Sequence, residues 1–327
     1  MKKILFFISL LLVVFISACT NKKMFKESFM YMDTYIEIKV YGIDKKKSEE
    51  VLNTAKNMYK EYHELTDRYN SYEDIINIYY INNELKVNEE VEIDSRLANL
   101  INFGLNAYKD TDGYVNIAMG NVIDVWKTYR EEGKKVPKTY ELMNQNINIK
   151  NISLNGNKFM KKGKIKLDLG AFAKGYVTEE VGKYFESKGI TKYLINAGGN
   201  VKVGESYKIG KYNVGLEEPF NTSNIYKTLS VENVSIVTSG SYQRYYEVDN
   251  KIYNHIINPK TLYPENFMKS VTVITKNSAY ADMLSTYLFL LPIEDGLKIV
   301  NNLEDVEAIW HNDAIYYSRD FNIYEQV

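Results

Sequence analysis

Cysteine appears once in these 327 residues, at Cys19, and proline only five times. A single thiol excludes intramolecular disulfides and any cysteine-based metal cluster. Acidic side chains (42) barely outnumber basic ones (41), so no net charge draws the chain towards nucleic acid. Beyond residue 19 no stretch reaches the roughly 18 unbroken apolar residues expected of a membrane-spanning helix, so the remainder reads as water-soluble. Internal repeats and low-complexity segments are missing too. The 29 tyrosines accompany a richness in Lys, Asn and Ile, and are read as genome composition rather than as a binding device.

What is present begins with "MKKILFFISLLLVVFISAC". A Lys-Lys start, an apolar stretch too short for an ordinary spanning helix and a small-residue end make a secretory signal. The ending Ile16-Ser17-Ala18-Cys19 looks like a bacterial lipobox, in which the Cys is lipidated and becomes the new N-terminus. An ordinary signal or anchor ending by chance in Cys is the alternative. The expectation is a signal peptide over 1–18, a lipidated Cys19 with a tether over 19–27, and one folded region over 28–327. The protein would then be a lipoprotein on the extracytoplasmic face of the cell membrane, with no thiolate nucleophile available.

Hydrophobic periodicity gives the coarse elements. "YIEIKVYG" alternates as a half-buried strand. Ser48 to about His63 and "SRLANLINFGLNAYKDTDG" are amphipathic helices, the second stopped by Gly113. "ISLNGNKFMKKGKIKLDL" reads as two strands about a Gly-containing turn, and "AFAKGYVTEEVGKYFESKG" as a helix ended by Gly189. Strands "YLINA", "VKVG", "YNVGL", "VSIVT", "YNHII" and "SVTVIT" follow, then a helix through "ADMLSTYLFLL", then "VEAIW" and "AIYYS". Strands arriving as neighbours, with helices clustered between groups, indicate α+β rather than a regular βαβ array.

Three constellations carry chemistry. In "ADMLSTYLFLL", Asp282 and Thr286 stand four apart on a helix that is apolar nearly all round, with Ser285 beside them. A carboxylate and hydroxyls on one face suit Mg²⁺, which favours oxygen. The alternative is an Asp complementing the helix macrodipole and a Thr bonded back to a carbonyl. In "KIKLDLGAFAKGY" a strand is expected to end at Asp168, with Gly170 and Ala171 turning into a helix whose first amides could hold an anion. A tight turn capped by Asp168 is the commoner use of that pattern. "NAGGN" and "TSGSYQR" each place small residues after a strand, as a ligand approach or an ordinary turn. In "YNHIINP", His255 is one of three histidines; it could accept a proton from a hydroxyl or be a satisfied structural residue.

Taken in order, these segments resemble the ApbE family of bacterial FAD:protein FMN transferases over essentially the whole chain after the signal. The matching elements are "MDT", "NSY" then Asn82, "DGYVN…VW", "LDLGAFAKGY", "NAGGNVKVG", "VGLEEP", "TSGSYQRYY", "NHIINP" and "SAYADMLSTYLF". The resemblance implies an ApbE-like, T-fold-related α+β architecture of mostly antiparallel sheets with packed helices. It implies Mg²⁺-dependent transfer of FMN from FAD to a Thr or Ser hydroxyl of a partner protein, releasing AMP. The implied partners are flavoprotein subunits such as those of sodium-pumping quinone reductase or the Rnf-type complex.

Carried over residue by residue, the resemblance makes Asp282 and Thr286 Mg²⁺ ligands, with Ser285 a possible addition and Ala171 giving its backbone carbonyl. Asp168 and Lys174 would lie along FAD. Met32, Tyr72 and Tyr114-Val115-Asn116 would enclose the flavin nucleotide. His255 would be the base and Ile256 would pack the cofactor. Three departures stand out: Asp33 where the family usually has Gly, Asn116 where it has Asp, and Asn258 where it has Asp. They make the nucleotide-binding segment less acidic, and Asp33 is expected to crowd the flavin. Hydrolysis of FAD to FMN and AMP, or FAD binding without turnover, are the alternative activities.

Overall fold

The computed structural model describes residues 24–207 and 210–325. The signal peptide, Cys19 and the lipidation expected there lie outside the described residues. The chain opens with β1 (Met24–Tyr31) and β2 (Thr34–Tyr41), followed by α1 (Lys45–Thr66) and α2 (Ile78–Asn83). Next come β3 (Glu90–Glu92), α3 (Ser95–Asp110), α4 (Gly120–Glu132) and α5 (Thr139–Met143). The hairpin β4 (Ile152–Asn155) and β5 (Lys158–Lys161) leads to α6 (Ala173–Ser187). Strands β6 (Tyr193–Ala197), β7 (Asn200–Val203), β8 (Tyr212–Glu218), β9 (Asn221–Val231) and β10 (Val234–Gly240) follow. Then come β11 (Tyr245–Val248), β12 (Lys251–Asn254), β13 (Ser270–Thr275), α7 (Ser278–Phe289), α8 (Ile293–Val300), β14 (Glu307–His311) and β15 (Ile315–Tyr317).

An eight-stranded sheet in the order β1-β2-β6-β7-β10-β13-β14-β15 forms the frame, and every pairing in it is antiparallel. The architecture is therefore the α+β, antiparallel one expected. Strand alternation decides what covers each face. Ile36, Ile38 and Val40 of β2 are fully buried under α1, α3 and α6, beside Val51, Leu97 and Val177. Val271 and Val273 of β13 lie with Ala308 and Trp310 under α7 and α8. Their neighbours Ile274 and Ile309 face the opposite way, where the β8–β9 ribbon covers them with Leu216, Leu229 and Val231. Because both faces of β13 are covered, all six of its residues are buried.

Several boundaries differ from the sequence reading. β1 begins at Met24, inside the stretch read as a tether; it is an edge strand with only Phe29 buried, so it carries little apolar signal. β12 ends at Asn254, which puts His255 in the bend after the strand rather than in it. No strand ends at Asp168: residues 165–168 are extended, with one isolated bridge between Lys166 and Met119. Among the described residues no helix is long and apolar enough to cross a membrane.

Candidate active site

The β1–β2 turn, the segment entering α6, β8, the loop after β10 and α7 enclose a cavity of about 990 Å³. The sheet brings these pieces together from more than 250 residues of chain, since β2 near the start pairs with β6 and β10 with β13.

Asp282 lies in the second turn of α7 and is 7% exposed. Its Oδ2 accepts the Gly175 N–H at 2.7 Å. Helices α6 and α7 approach so closely because residue 175 lacks a side chain: a Cβ there would sit 2.4 Å from the Ser278 carbonyl oxygen and 2.5 Å from Asp282 Cβ. Burial pushes the Asp282 carboxyl up to about 6, against the opposing pull of the Lys174 charge and the Gly175 N–H. Asn277, not Asp282, caps the helix, accepting the Tyr280 N–H at 2.9 Å. One turn further, Thr286 Oγ1 donates to the Ala171 carbonyl at 3.1 Å rather than to its own helix. Asp282, Thr286 and Ala171 thus bring oxygen groups of two distant segments to the cavity wall.

The segment before α6 is held by side chains together with two backbone bonds, from Gly120 N–H to the Lys166 carbonyl and from Asp168 N–H to the Ile117 carbonyl. Asn82 brackets Leu167, donating to its carbonyl at 2.9 Å and accepting its N–H at 2.6 Å. Asp168 Oδ1 accepts the Gly170 N–H at 2.9 Å, a tight turn of its own. Asp168 Oδ2 is bound at 2.7 Å by Arg68, whose side chain is only 7% exposed and also reaches Asp124 and the Gly120 carbonyl. Arg68 was not foreseen: "LTDRYNS" reads as a polar loop, and its two carboxylate partners lie 56 and 100 residues away.

His255 also lines the cavity, and its Nδ1 is buried with no hydrogen-bond partner. Burial, reinforced by the positive charges of Arg244, Lys174 and Arg130, pulls the imidazole down to about 4. The ring is therefore neutral near pH 7.

Met32, Tyr114, Val115, Asn116, Lys174 and Ile256 all line the cavity, as the sequence reading requires. Two expected residues do not. Ser285 is fully buried behind the wall, paired with Ser239 Oγ at 2.9 Å, because three residues on from Asp282 its hydroxyl turns towards β10. Tyr72 donates to Asp67 at 2.9 Å and stands 3.3 Å from His63 Nε2, while His63 Nδ1 accepts the Met32 N–H. Tyr72 thus meets the cavity through Asp67 and His63, which both line it. "NAGGN" is a hairpin turn set at the cavity. Gly198 and Gly199 form the two-residue β6–β7 turn, with φ of +59° and +88°, and they line the cavity.

The substituted asparagines have local reasons. Asn116 Nδ2 donates to the Ile147 carbonyl at 3.0 Å, and Asn258 Nδ2 donates to the Glu265 carboxylate at 2.8 Å. Neither bond is open to an ionised Asp, which only accepts. Asp33 does not fill the cavity: its side chain is 69% exposed at the rim, 3.8 Å from Arg244.

A family model described as the ApbE family matches residues 32–310. The chain belongs to the ApbE family. The FAD:protein FMN transferase of Klebsiella pneumoniae (strain 342) is 28% identical over 300 residues, covering 89% of this chain and 90% of that protein. The crystal structure of the ApbE protein from Thermotoga maritima superposes with a TM-score of 0.81 at 24% identity, over 93% of this chain and all of that one. The flavin transferase ApbE from Vibrio cholerae gives 0.79 at 22% identity, over 93% and 100% of the two chains. At these identities the two structures speak for the fold, and the ApbE-family fold is the one described above.

Proposed function

We propose that this ApbE-family chain is an FAD:protein FMN transferase that moves FMN from FAD to a Thr or Ser hydroxyl of a partner protein and releases AMP. The observation that carries this reading is the buried Asp282, which has no ion pair among the described residues and lies beside the Thr286 hydroxyl and the Ala171 carbonyl. A carboxylate raised to about 6 by burial alone is a group awaiting a cation. Among the described residues no three His, Cys, Asp or Glu side chains converge as a ready metal cluster. A single carboxylate with a hydroxyl and a carbonyl instead suits Mg²⁺, which completes its shell with water and substrate phosphates. Asp282, Thr286 and Ala171 would hold it, and it would neutralise charge on the diphosphate.

The chain's own groups supply the rest. The acceptor hydroxyl attacks the FMN-side phosphorus; that P–O bond forms as the bond to the AMP oxygen breaks. His255, whose side chain lines the cavity, takes the hydroxyl proton on its imidazole. Lys174 lines the same wall and adds positive charge near both His255 and Asp282. The sodium-pumping quinone reductase or Rnf-type flavoprotein subunits are the proposed acceptors, and a lipid-anchored extracytoplasmic placement through Cys19 is proposed with them.

The test is to incubate the chain lacking residues 1–19 with FAD and Mg²⁺, with and without an acceptor subunit, and to follow AMP and acceptor mass. AMP with an FMN-sized mass gain supports transfer. AMP formed equally without acceptor makes the protein an FAD hydrolase, and tight FAD binding without AMP makes it a binding protein.

A further inference from the structure

We propose that Asp33 is an affinity-setting residue: its carboxylate competes with the ligand's phosphates for Arg244 at the cavity rim. The proposal rests on the FAD reading above and concerns how that ligand is held.

Asp33 and Arg244 come from unrelated segments, the β1–β2 turn and the loop between β10 and β11. Both line the cavity, yet their side chains are 69% and 54% exposed, which places them at its mouth. Their charged atoms are 3.8 Å apart, longer than a hydrogen bond, so the guanidinium is steered and not locked. Its N–H fork remains able to receive a phosphate. Arg244 is one of three cations, with Lys174 and Arg130, whose charge is felt at His255, so it belongs to the positive field an anionic ligand would meet.

The turn does not need the carboxylate. Met32 and Asp33 have φ of +53° and +54°, and Tyr31 pairs with Thr34, which is a two-residue hairpin of the type that favours Asn or Gly. Asp33→Asn therefore keeps shape and turn and removes only the charge. The carboxylate's remaining effect is electrostatic: it holds Arg244 at the rim when the cavity is empty and opposes its transfer to phosphate. Ligand would bind less tightly and leave faster than the cations alone would allow.

An exposed ion pair of this kind shifts an equilibrium by about two- to fivefold. The experiment uses the full chain in detergent with a chelator present, and measures FAD and riboflavin binding by flavin fluorescence. It compares wild type, Asp33→Asn, Arg244→Gln and the double variant at low and high salt. Asp33→Asn is expected to tighten FAD about two- to fivefold at low salt. The gain should shrink at high salt and vanish when Arg244 is already replaced. Riboflavin, which has no phosphate, should bind equally to wild type and Asp33→Asn. An unchanged FAD affinity in Asp33→Asn overturns the proposal, as does an equal gain for riboflavin or one that survives Arg244→Gln. If wild type binds FAD no better than riboflavin with Mg²⁺ supplied as well as with chelator, the FAD reading itself falls, which is a different result from any of these.

Discussion

Replacing Asp282 by Asn should make the cation-free protein more stable and the cation-loaded one less so. In the absence of metal the carboxyl is pushed up to about 6 from an ordinary value of 3.8. That is about two pKa units, or about 3 kcal/mol set against folding at neutral pH. The sign follows from linkage: a folded-state value above the unfolded one means the folded protein holds the proton longer. The cost is absent below about pH 4, grows between about 4 and 6, and is complete above 6. Asn fits the same space and can still accept the Gly175 N–H, so the variant should shed the cost without opening a cavity. For a chain of this size about 3 kcal/mol corresponds to about 5 °C in melting temperature. Thermal unfolding with chelator should show Asp282→Asn melting about that much higher at pH 7.5, and matching wild type at pH 4. With millimolar Mg²⁺ the order should reverse, because only wild type gains from binding. A variant that melts lower than wild type in chelator at pH 7.5 would refute the account of Asp282 as an uncompensated buried charge.

Three further outcomes are expected. His255→Ala should lower the rate of FMN transfer by about 10²–10⁴-fold with FAD binding retained; because the wild-type imidazole is pulled down to about 4, the acidic limb of the wild-type pH–rate profile for this group should fall there rather than near 6.5. Arg68→Ala leaves Asp168 and Asp124 without their buried partner and should cost about 3–5 kcal/mol in urea unfolding. Gly175→Ala drives a Cβ against the Ser278 carbonyl and Asp282, so Mg²⁺-induced thermal stabilisation should fall more than tenfold in apparent affinity; an unchanged Mg²⁺ titration would disprove the close-approach argument.

Much of this was legible in the chain itself, and the failures share one cause. The α7 segment is apolar nearly all round and proved buried, and the four-residue spacing of Asp282 and Thr286 did bring both to the cavity. Such readings depend on neighbours along a helix. Ser285 is a neighbour too, but its hydroxyl is taken up by the Asp282 backbone carbonyl one turn back and by Ser239 on β10, behind the cavity wall. Arg68 and Asn82 sit in polar loop and short-helix sequence, and their importance comes wholly from Asp168 and Leu167, far along the chain. β9 went unread because residues 221–225 are all exposed and show no alternation. The strand expected to reach Asp168 failed for the inverse reason: its backbone bonds go to the Asn82 side chain and to the Ile117–Gly120 segment, partners that no periodicity reveals.

The bond from Thr286 to Ala171 joins residues 115 apart, and the bond from Asp282 to Gly175 spans 107. Contacts of such sequence separation form late, since loop closure must come first. A chain still being synthesised therefore lacks the complete oxygen set until α7, near its end, has been made. If this oxygen set holds Mg²⁺ as proposed, loading would report completed folding, and a truncated copy lacking α7 would stay empty.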